Sequence, residues 1–284
     1  MERQPVLNSK ANRRKLNYLV VLGLTMTLHL SVLAQGYFSG RKEYGVVFGV
    51  SNYYGDLSKG QNIKHFRPSF GVYQRYNMSD YFAWRNQISY LSVAGTTEGN
   101  PNYQIQNLNF QTDIYEISSL LTFDFHAFGT NITSGSQTPY AMIGLAGYHF
   151  NPYRLDASEI SLRSANTEYR KKAYSRVRVG VPFGLGYKFR SSHKRYKGAW
   201  VFGIEAMWRK TYMDHLDDVS GVYPSYKELS ENISAAAAQY SQAQTLNGGD
   251  PFPKGTFRGD ASLDDWYYFY GFNLSYRFTP LTCR

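Results

Sequence analysis

Carboxylates are concentrated at one point of the chain, in the run Asp214-His215-Leu216-Asp217-Asp218. The side chains of Asp214, Asp217 and Asp218 could bind Ca²⁺, because that ion prefers oxygen ligands. The run lacks the glycine and the closing glutamate of an EF-hand loop. The competing interpretation is a turn whose aspartates cap backbone amides. The sequence favours the turn, so we predict no metal and keep these three aspartates as candidate Ca²⁺ ligands.

Other catalytic or cofactor-binding patterns are missing from the sequence. The six histidines lie at positions 29, 65, 126, 149, 193 and 215, which gives no ligand-like spacing. The chain has no G-x-S-x-G elbow, no phosphate loop ending in Gly-Lys-Ser/Thr and no H-E-x-x-H. Cys283 is the single cysteine, so no intramolecular disulfide and no Cys/His zinc framework can form. We predict that the protein is not an enzyme and that it has neither catalytic residues nor a cofactor.

The amino-terminal segment has the pattern of a cleaved signal peptide. Basic residues within 10–15 precede an apolar segment over 18–34, and Ala34-Gln35 fits a signal-peptidase site. An uncleaved anchor is the alternative, but Thr, His and Ser residues interrupt the apolar segment. Without residues 1–34, 26 basic and 20 acidic residues leave a net charge of +6. These charges are dispersed without an RNA-binding motif, so we expect no nucleic-acid partner.

After residue 34 the composition and periodicity indicate membrane-spanning strands. Aromatic residues make up 17% of the chain and charged residues only 18%. No apolar stretch is long enough for a spanning helix, and only a closed barrel can otherwise satisfy the backbone in lipid. Apolar and polar residues alternate in eight segments, which are 43–51, 67–76, 81–94, 107–125, 139–148, 176–190, 199–213 and 266–278. The alternation slips near Thr112–Tyr115, which predicts a bulge.

These segments predict an all-β fold, an eight-stranded antiparallel transmembrane barrel over residues 35–284. Short and long connections alternate along the chain. The short ones are Asn77–Asp80 and Ser191–Gly198, and the long ones are 52–66, 149–175 and 214–263. We expect the long connections outside the cell. An eight-stranded barrel is just wide enough for side chains, so charges of both signs should pair and plug the interior. The predicted plug consists of Arg85, Glu116, Arg178, Lys188, Glu205, Arg209 and Arg277.

The long insertion loop 214–263 is expected to contain a short helix. Ser225 and Glu228 form a capping box, and apolar residues at helical spacing follow until Gly248-Gly249 and Pro251. The apolar stripe of this helix suits either the barrel rim or another protein, and the sequence does not choose between them.

Several sequence motifs resemble those of the PorG family, the outer-membrane barrel of the type IX secretion system. They include Asn52-Tyr53-Tyr54-Gly55-Asp56-Leu57, Arg67-Pro68-Ser69-Phe70-Gly71, Val181-Pro182-Phe183-Gly184-Leu185-Gly186-Tyr187-Lys188, the run from Asp214 to Tyr223, Arg258-Gly259 and Asp265-Trp266-Tyr267. The resemblance spans about residues 43–283. It departs at Thr167-Glu168, where the family's longer Thr-Glu-Gly-Gln stretch is cut short, and at His215, where the family has tyrosine.

This resemblance implies a non-enzymatic part of an export machine, integral to the outer membrane. Its partners would be outer-membrane lipid and the periplasmic ring proteins PorK and PorN, and the machine serves protein transport and, in some species, gliding motility. Two other functions stay open from the sequence. One is a general small barrel acting as an adhesin or a passive barrel, and the other is a barrel enzyme that modifies lipid.

Overall fold

The structure, a computed structural model, describes residues 41–58, 63–97, 104–128, 135–155, 157–171, 173–191, 198–262 and 264–278. The expected signal peptide 1–34, its cleavage site at Ala34-Gln35 and the single cysteine Cys283 lie outside these residues. Among the described residues, no helix is long and apolar enough to cross a membrane.

In the part of the chain that the structure describes, nine antiparallel strands form one sheet. They are β1 (Arg41–Tyr54), β2 (Arg67–Asn77), β3 (Phe82–Thr96), β4 (Asn109–Asp124), β5 (Gln137–Arg154), β6 (Ala157–Ser161), β7 (Val177–Arg190), β8 (Ala199–Lys210) and β9 (Trp266–Arg277). Eight of them close into a barrel in the order β1-β2-β3-β4-β5-β7-β8-β9, with β9 paired back to β1. The eight-stranded barrel is therefore confirmed, and the short β6 is an additional strand that pairs only with the end of β5.

The two ends of the barrel differ in the length of their connections. Residues 78–81, 125–136 and 191–198 join strands at what we call the turn end. Residues 55–66, 97–108, 155–176 and 211–265 join strands at the opposite end, which we call the cap end. The loops at the cap end carry α1 (Leu162–Ala165), α2 (Tyr226–Asn232), α3 (Ala235–Ser241) and 3-10 turns at Ile63–His65, Gln104–Gln106 and Ala243–Asn247.

The helix expected in the loop 214–263 is present but divided. Ser225 caps α2 by accepting a hydrogen bond from the Glu228 amide at 3.3 Å, as the capping box predicts. Ser234 then caps α3 by accepting from the Ala237 amide at 3.0 Å, so the chain starts a second helix there. Leu229, Ala237 and Ala238 form a small buried cluster against α1, which places this apolar stripe on the protein's own cap.

The bulge expected near Thr112–Tyr115 is wrong. β4 pairs with β3 and β5 without any register shift between residues 111 and 124. Phe110 and Ile114 are apolar, yet both point into the barrel, where they are fully buried. The alternation appeared to slip because the interior changes from polar at the turn end to apolar beneath the cap.

Candidate functional site

Ion pairs fill the barrel interior at the turn end. The Arg277 guanidinium donates to a Glu43 carboxylate oxygen at 3.1 Å, which joins β9 to β1. The Asp124 carboxylate accepts from Arg75 at 3.0 Å and from the Lys188 ammonium at 2.8 Å. The Arg75, Lys188 and Asp124 side chains come from β2, β7 and β4, so they reach across the lumen.

A second layer of ion pairs crosses the middle of the barrel. Arg85 donates two hydrogen bonds to the Glu205 carboxylate, at 2.7 and 3.0 Å, from β3 to β8. Arg209 does the same to Glu116, at 2.8 and 3.1 Å, from β8 to β4. The hydroxyl of Tyr140 also donates to Glu205, at 2.9 Å. All four charged side chains are at most 4% exposed, so little space is left for solvent around them.

The structure brings most of the predicted plug residues together. Six of them are buried inside the barrel, namely Arg85, Glu116, Lys188, Glu205, Arg209 and Arg277. Arg178 lies on the same inward face of β7 but is only half-buried. Sequence reasoning missed the counter-ions Glu43, Asp124 and Arg75. Their positions were readable, because Asp124 shares the inward parity of Glu116 on β4 and Glu43 opposes the outward Tyr44 on β1.

A different group of charges lies at the cap end. Asp214 and Asp217 follow β8, and Asp265 directly precedes β9. One carboxylate oxygen of each lies within 4.8 Å of the others, and all three residues are buried. The hydroxyl of Tyr53, at the end of β1, is 2.6 Å from Asp217 Oδ2 and 2.8 Å from Asp265 Oδ1. This carboxylate cluster therefore joins both ends of the 211–265 loop to the rim of the barrel.

Backbone amides hold two of the three carboxylates. Asp217 Oδ1 accepts from the Val219 amide at 2.9 Å, and Asp265 Oδ2 accepts from the Leu216 amide at 2.8 Å. Neither oxygen of Asp214 makes a hydrogen bond of regular geometry. Burial and repulsion from Asp217 raise the pKa of Asp214 to about 8, and the Ser220 hydroxyl nearby offsets only part of that shift. Burial likewise raises the pKa of Asp217 and of Asp265.

The third candidate ligand from the sequence, Asp218, does not join this cluster. Its carboxylate accepts hydrogen bonds from the Tyr174 hydroxyl, at 2.7 Å, and from the Thr167 hydroxyl. Asp218 has a left-handed backbone with φ of 59°, so its side chain leaves the turn in another direction from that of Asp217. Asp265 takes its place, from a position 47 residues further along the chain.

His215, inside the same run, stacks on the ring of Tyr174 with ring centroids 4.8 Å apart. The Arg170 guanidinium lies 3.2 Å from His215 Nε2. Burial and the Arg170 charge lower the pKa of His215 to about 4, so the ring is neutral at ordinary pH. The contacts of His215 with Tyr174 and Arg170 therefore join separate segments of the cap to one another.

The outer face of the barrel is apolar on every strand. Large exposed side chains include Phe48, Phe70, Ile88, Ile117, Leu145, Leu185, Ile204 and Phe272, one from each barrel strand. Monomeric soluble proteins rarely expose contiguous apolar patches of such extent. A closed sheet with a lipid-compatible exterior and a charged interior is the arrangement of an integral barrel of the outer-membrane type.

Comparison with known proteins identifies a family. The family model described as a domain of unknown function, DUF6089, matches residues 18–234. The chain belongs to the DUF6089 family. No curated protein matches this DUF6089 member.

Solved structures with similar folds are distant from this DUF6089 protein. They include the attachment invasion locus protein Ail of Yersinia pestis, with 12% identity, a TM-score of 0.37, and 84% of this chain and 99% of that chain covered. OprG of Pseudomonas aeruginosa has 13% identity, a TM-score of 0.36 and coverages of 83% and 93%. Neisserial surface protein A has 9% identity, a TM-score of 0.38 and coverages of 82% and 95%. The barrel itself is established by its own strand pairing.

Proposed function

We propose that this protein is a non-enzymatic outer-membrane component of the type IX secretion machinery, which anchors or organises the periplasmic ring at the outer membrane. The observation that carries the proposal is the filled lumen. Five buried ion pairs cross or close the interior, namely Glu43–Arg277, Asp124–Arg75, Asp124–Lys188, Arg85–Glu205 and Glu116–Arg209. A barrel plugged in this way does not suit the passage of a folded cargo, whereas a rigid membrane anchor needs no passage.

The resemblance to the PorG family supports the same function, because residues from the different PorG-like motifs contact one another in the folded protein. The Tyr53 hydroxyl, from the first motif, lies within hydrogen-bond distance of Asp217 from the longest motif and of Asp265 from the last. Arg258 donates to the Asp218 backbone oxygen at 2.8 Å and forms an ion pair with Glu168. Residues that lie far apart in the sequence therefore pack together in the cap, as expected if these motifs specify a common fold.

A deletion of the gene tests the secretion role. Export of cargo with the C-terminal type IX signal should fail in the deletion strain and recover when the gene is restored. Normal export would contradict the proposal. Analysis of lipid A and phospholipids in the same strain tests the lipid-modifying alternative, which predicts altered lipids with intact export.

Site-directed cross-linking tests the anchor role and its sidedness. In a Cys283→Ser background, Ser79→Cys places a thiol in the turn between β2 and β3, and Ser262→Cys places one in the exposed cap. Both serines are exposed turn residues, so the two thiols are matched in accessibility. The Ser79 hydroxyl oxygen accepts from the Phe82 amide at 2.9 Å, and the Ser262 hydroxyl donates to Asp260 Oδ1 at 2.6 Å. Ring proteins resembling PorK and PorN should cross-link to Ser79→Cys and not to Ser262→Cys. Cross-links from the cap position alone would refute a periplasmic anchor at the turn end.

A further inference from the structure

We propose that Asp214, Asp217 and Asp265 bind one Ca²⁺ ion at the cap end of the barrel. The inference is independent of the secretion role. Ca²⁺ sits about 2.3–2.6 Å from its oxygen ligands, so oxygens on opposite sides of one ion are roughly 5 Å apart. The three carboxylate oxygens lie within 4.8 Å of one another, which a single ion spans.

Asp214 supplies the first independent sign of a ligand. The residue is only 6% exposed, and neither of its side-chain oxygens has a hydrogen-bond partner of regular geometry. A buried carboxylate with so little hydrogen bonding is costly, because it has lost its hydration and gained little in return. The Ser220 hydroxyl compensates Asp214 only in part, and its two buried neighbours in the cluster are also carboxylates, so a cation is the partner that would satisfy all three.

The Tyr53 hydroxyl supplies a second sign. It lies within hydrogen-bond distance of an oxygen of Asp217 and of an oxygen of Asp265. A hydroxyl carries one proton, so it cannot donate fully to both carboxylates at once. Asp217 and Asp265 therefore keep capacity to accept, and an oxygen of each lies within 4.8 Å of an oxygen of Asp214.

The balance of charge around the cluster points the same way. Asp56 lies close enough to repel both Asp214 and Asp217. The buried guanidinium that faces this part of the cap, Arg258, is bound to Glu168 at 3.3 Å and to the Asp218 backbone oxygen. Arg258 also attracts Asp217, but its single charge is shared with Glu168, so the carboxylate cluster keeps a negative excess.

The ligand types select the ion. Three carboxylates without a thiolate or an imidazole suit a hard cation and not zinc or copper. Mg²⁺ demands near-ideal octahedral geometry and keeps several waters, which a buried cluster on the two ends of one loop does not favour. Ca²⁺ tolerates irregular geometry, and backbone oxygens and water can complete its coordination.

Calorimetric titration tests the site. The full-length protein is purified in detergent, treated with EGTA to strip bound ions, and titrated with CaCl₂. We expect one ion per chain with Kd below about 1 mM, the range of extracellular Ca²⁺ modules. Asp214→Asn and Asp265→Asn should each weaken binding at least tenfold. Asp250→Asn, an exposed aspartate of the same loop, should leave Kd within twofold.

Two further measurements keep the test decisive. Heat-modifiable migration on a gel shows whether each variant still forms the barrel, and Asn is close in shape to Asp. Equimolar Mg²⁺ should leave the Ca²⁺ affinity within twofold, and full competition by Mg²⁺ would overturn the assignment to calcium. Absence of Ca²⁺ binding by the wild-type protein up to 10 mM would show that shared protons satisfy the cluster. Wild-type binding that survives both substitutions would place the ion elsewhere, and either result overturns the proposal.

Discussion

Replacing Glu205 by glutamine removes one negative charge from the middle of the barrel and leaves the Arg85 guanidinium there. The Arg85 side chain is 4% exposed and gives two hydrogen bonds to Glu205, at 2.7 and 3.0 Å. Removing one partner of a buried ion pair costs about 3–5 kcal/mol, because the remaining charge stays buried without compensation.

Two features of the site place the expected loss near the lower end of that range. Glutamine keeps one oxygen that can accept from Tyr140 and Asn273, which both donate to Glu205 Oε2. The Arg85 guanidinium also lies 4.0 Å from the centroid of the Tyr73 ring, a contact that survives the substitution. We expect Glu205→Gln to lower the free energy of unfolding by about 3 kcal/mol.

The matched control is Glu228→Gln in the cap. Glu228 pairs with Lys254 at 2.8 Å, but these side chains are 40% and 63% exposed. An exposed pair of this kind contributes about 0–1 kcal/mol. Reversible urea unfolding in phospholipid vesicles, followed by the fluorescence of the four tryptophans, compares the two variants directly.

The double variant Arg85→Met with Glu205→Leu separates charge from packing. It removes both ions together, so we expect it to regain most of the stability that Glu205→Gln loses. If Glu205→Gln is no less stable than Glu228→Gln, the buried ion pair does not stabilise the barrel. In that case Arg85 reaches water and the lumen is hydrated.

Three further predictions concern the lumen, the strands and the outer face. In planar bilayers the wild-type protein should show no stable conductance step; steady single-channel currents would contradict the filled lumen. Gly144→Ala should destabilise the barrel by about 1–3 kcal/mol in the same urea assay, because its new Cβ would lie 2.0 Å from the Ser119 backbone oxygen. The control Gly147→Ala should change stability by less than about 0.5 kcal/mol, because nothing lies within 4 Å of its new Cβ. Leu185→Arg in the middle of β7 should cost about 2–4 kcal/mol and Val177→Arg at its end about 0–1 kcal/mol; equal costs at the two positions would argue against a lipid-facing belt.

Strand number and facing were predictable because the alternation is local. On β7, Val177, Val179 and Leu185 lie outside as the period of two requires. The same rule fails as a guide to the interior of β4, where Phe110 and Ile114 are apolar and still point inward. Their burial depends on the cap above them, and the cap is built by loops distant in sequence.

The cap-end cluster was only half predictable for a similar reason. Asp214 and Asp217 are close in sequence, and a cluster of carboxylates there is visible at once. Asp265 joins them only because β8 and β9 pair and return the chain to the same rim. Asp218, although adjacent to Asp217, is turned away by its left-handed backbone. Side-chain direction in an irregular turn follows from backbone angles that composition does not reveal.

The seam between β1 and β9 determines the order in which the barrel can assemble. Every other barrel pairing joins strands that follow one another along the chain, apart from the short β6. The loops that these pairings close are all shorter than the 211–265 connection or equal to it. The seam joins residues as far apart as Glu43 and Arg277, so it closes late and at the largest entropic cost.

Until that closure, the sheet has two open edges whose backbone groups lipid cannot satisfy. Closure and membrane insertion must therefore proceed together, after the last strand has been delivered. The Glu43–Arg277 ion pair forms only at that moment, across the finished seam. It stabilises the completed barrel against reopening and contributes nothing to the earlier steps of folding.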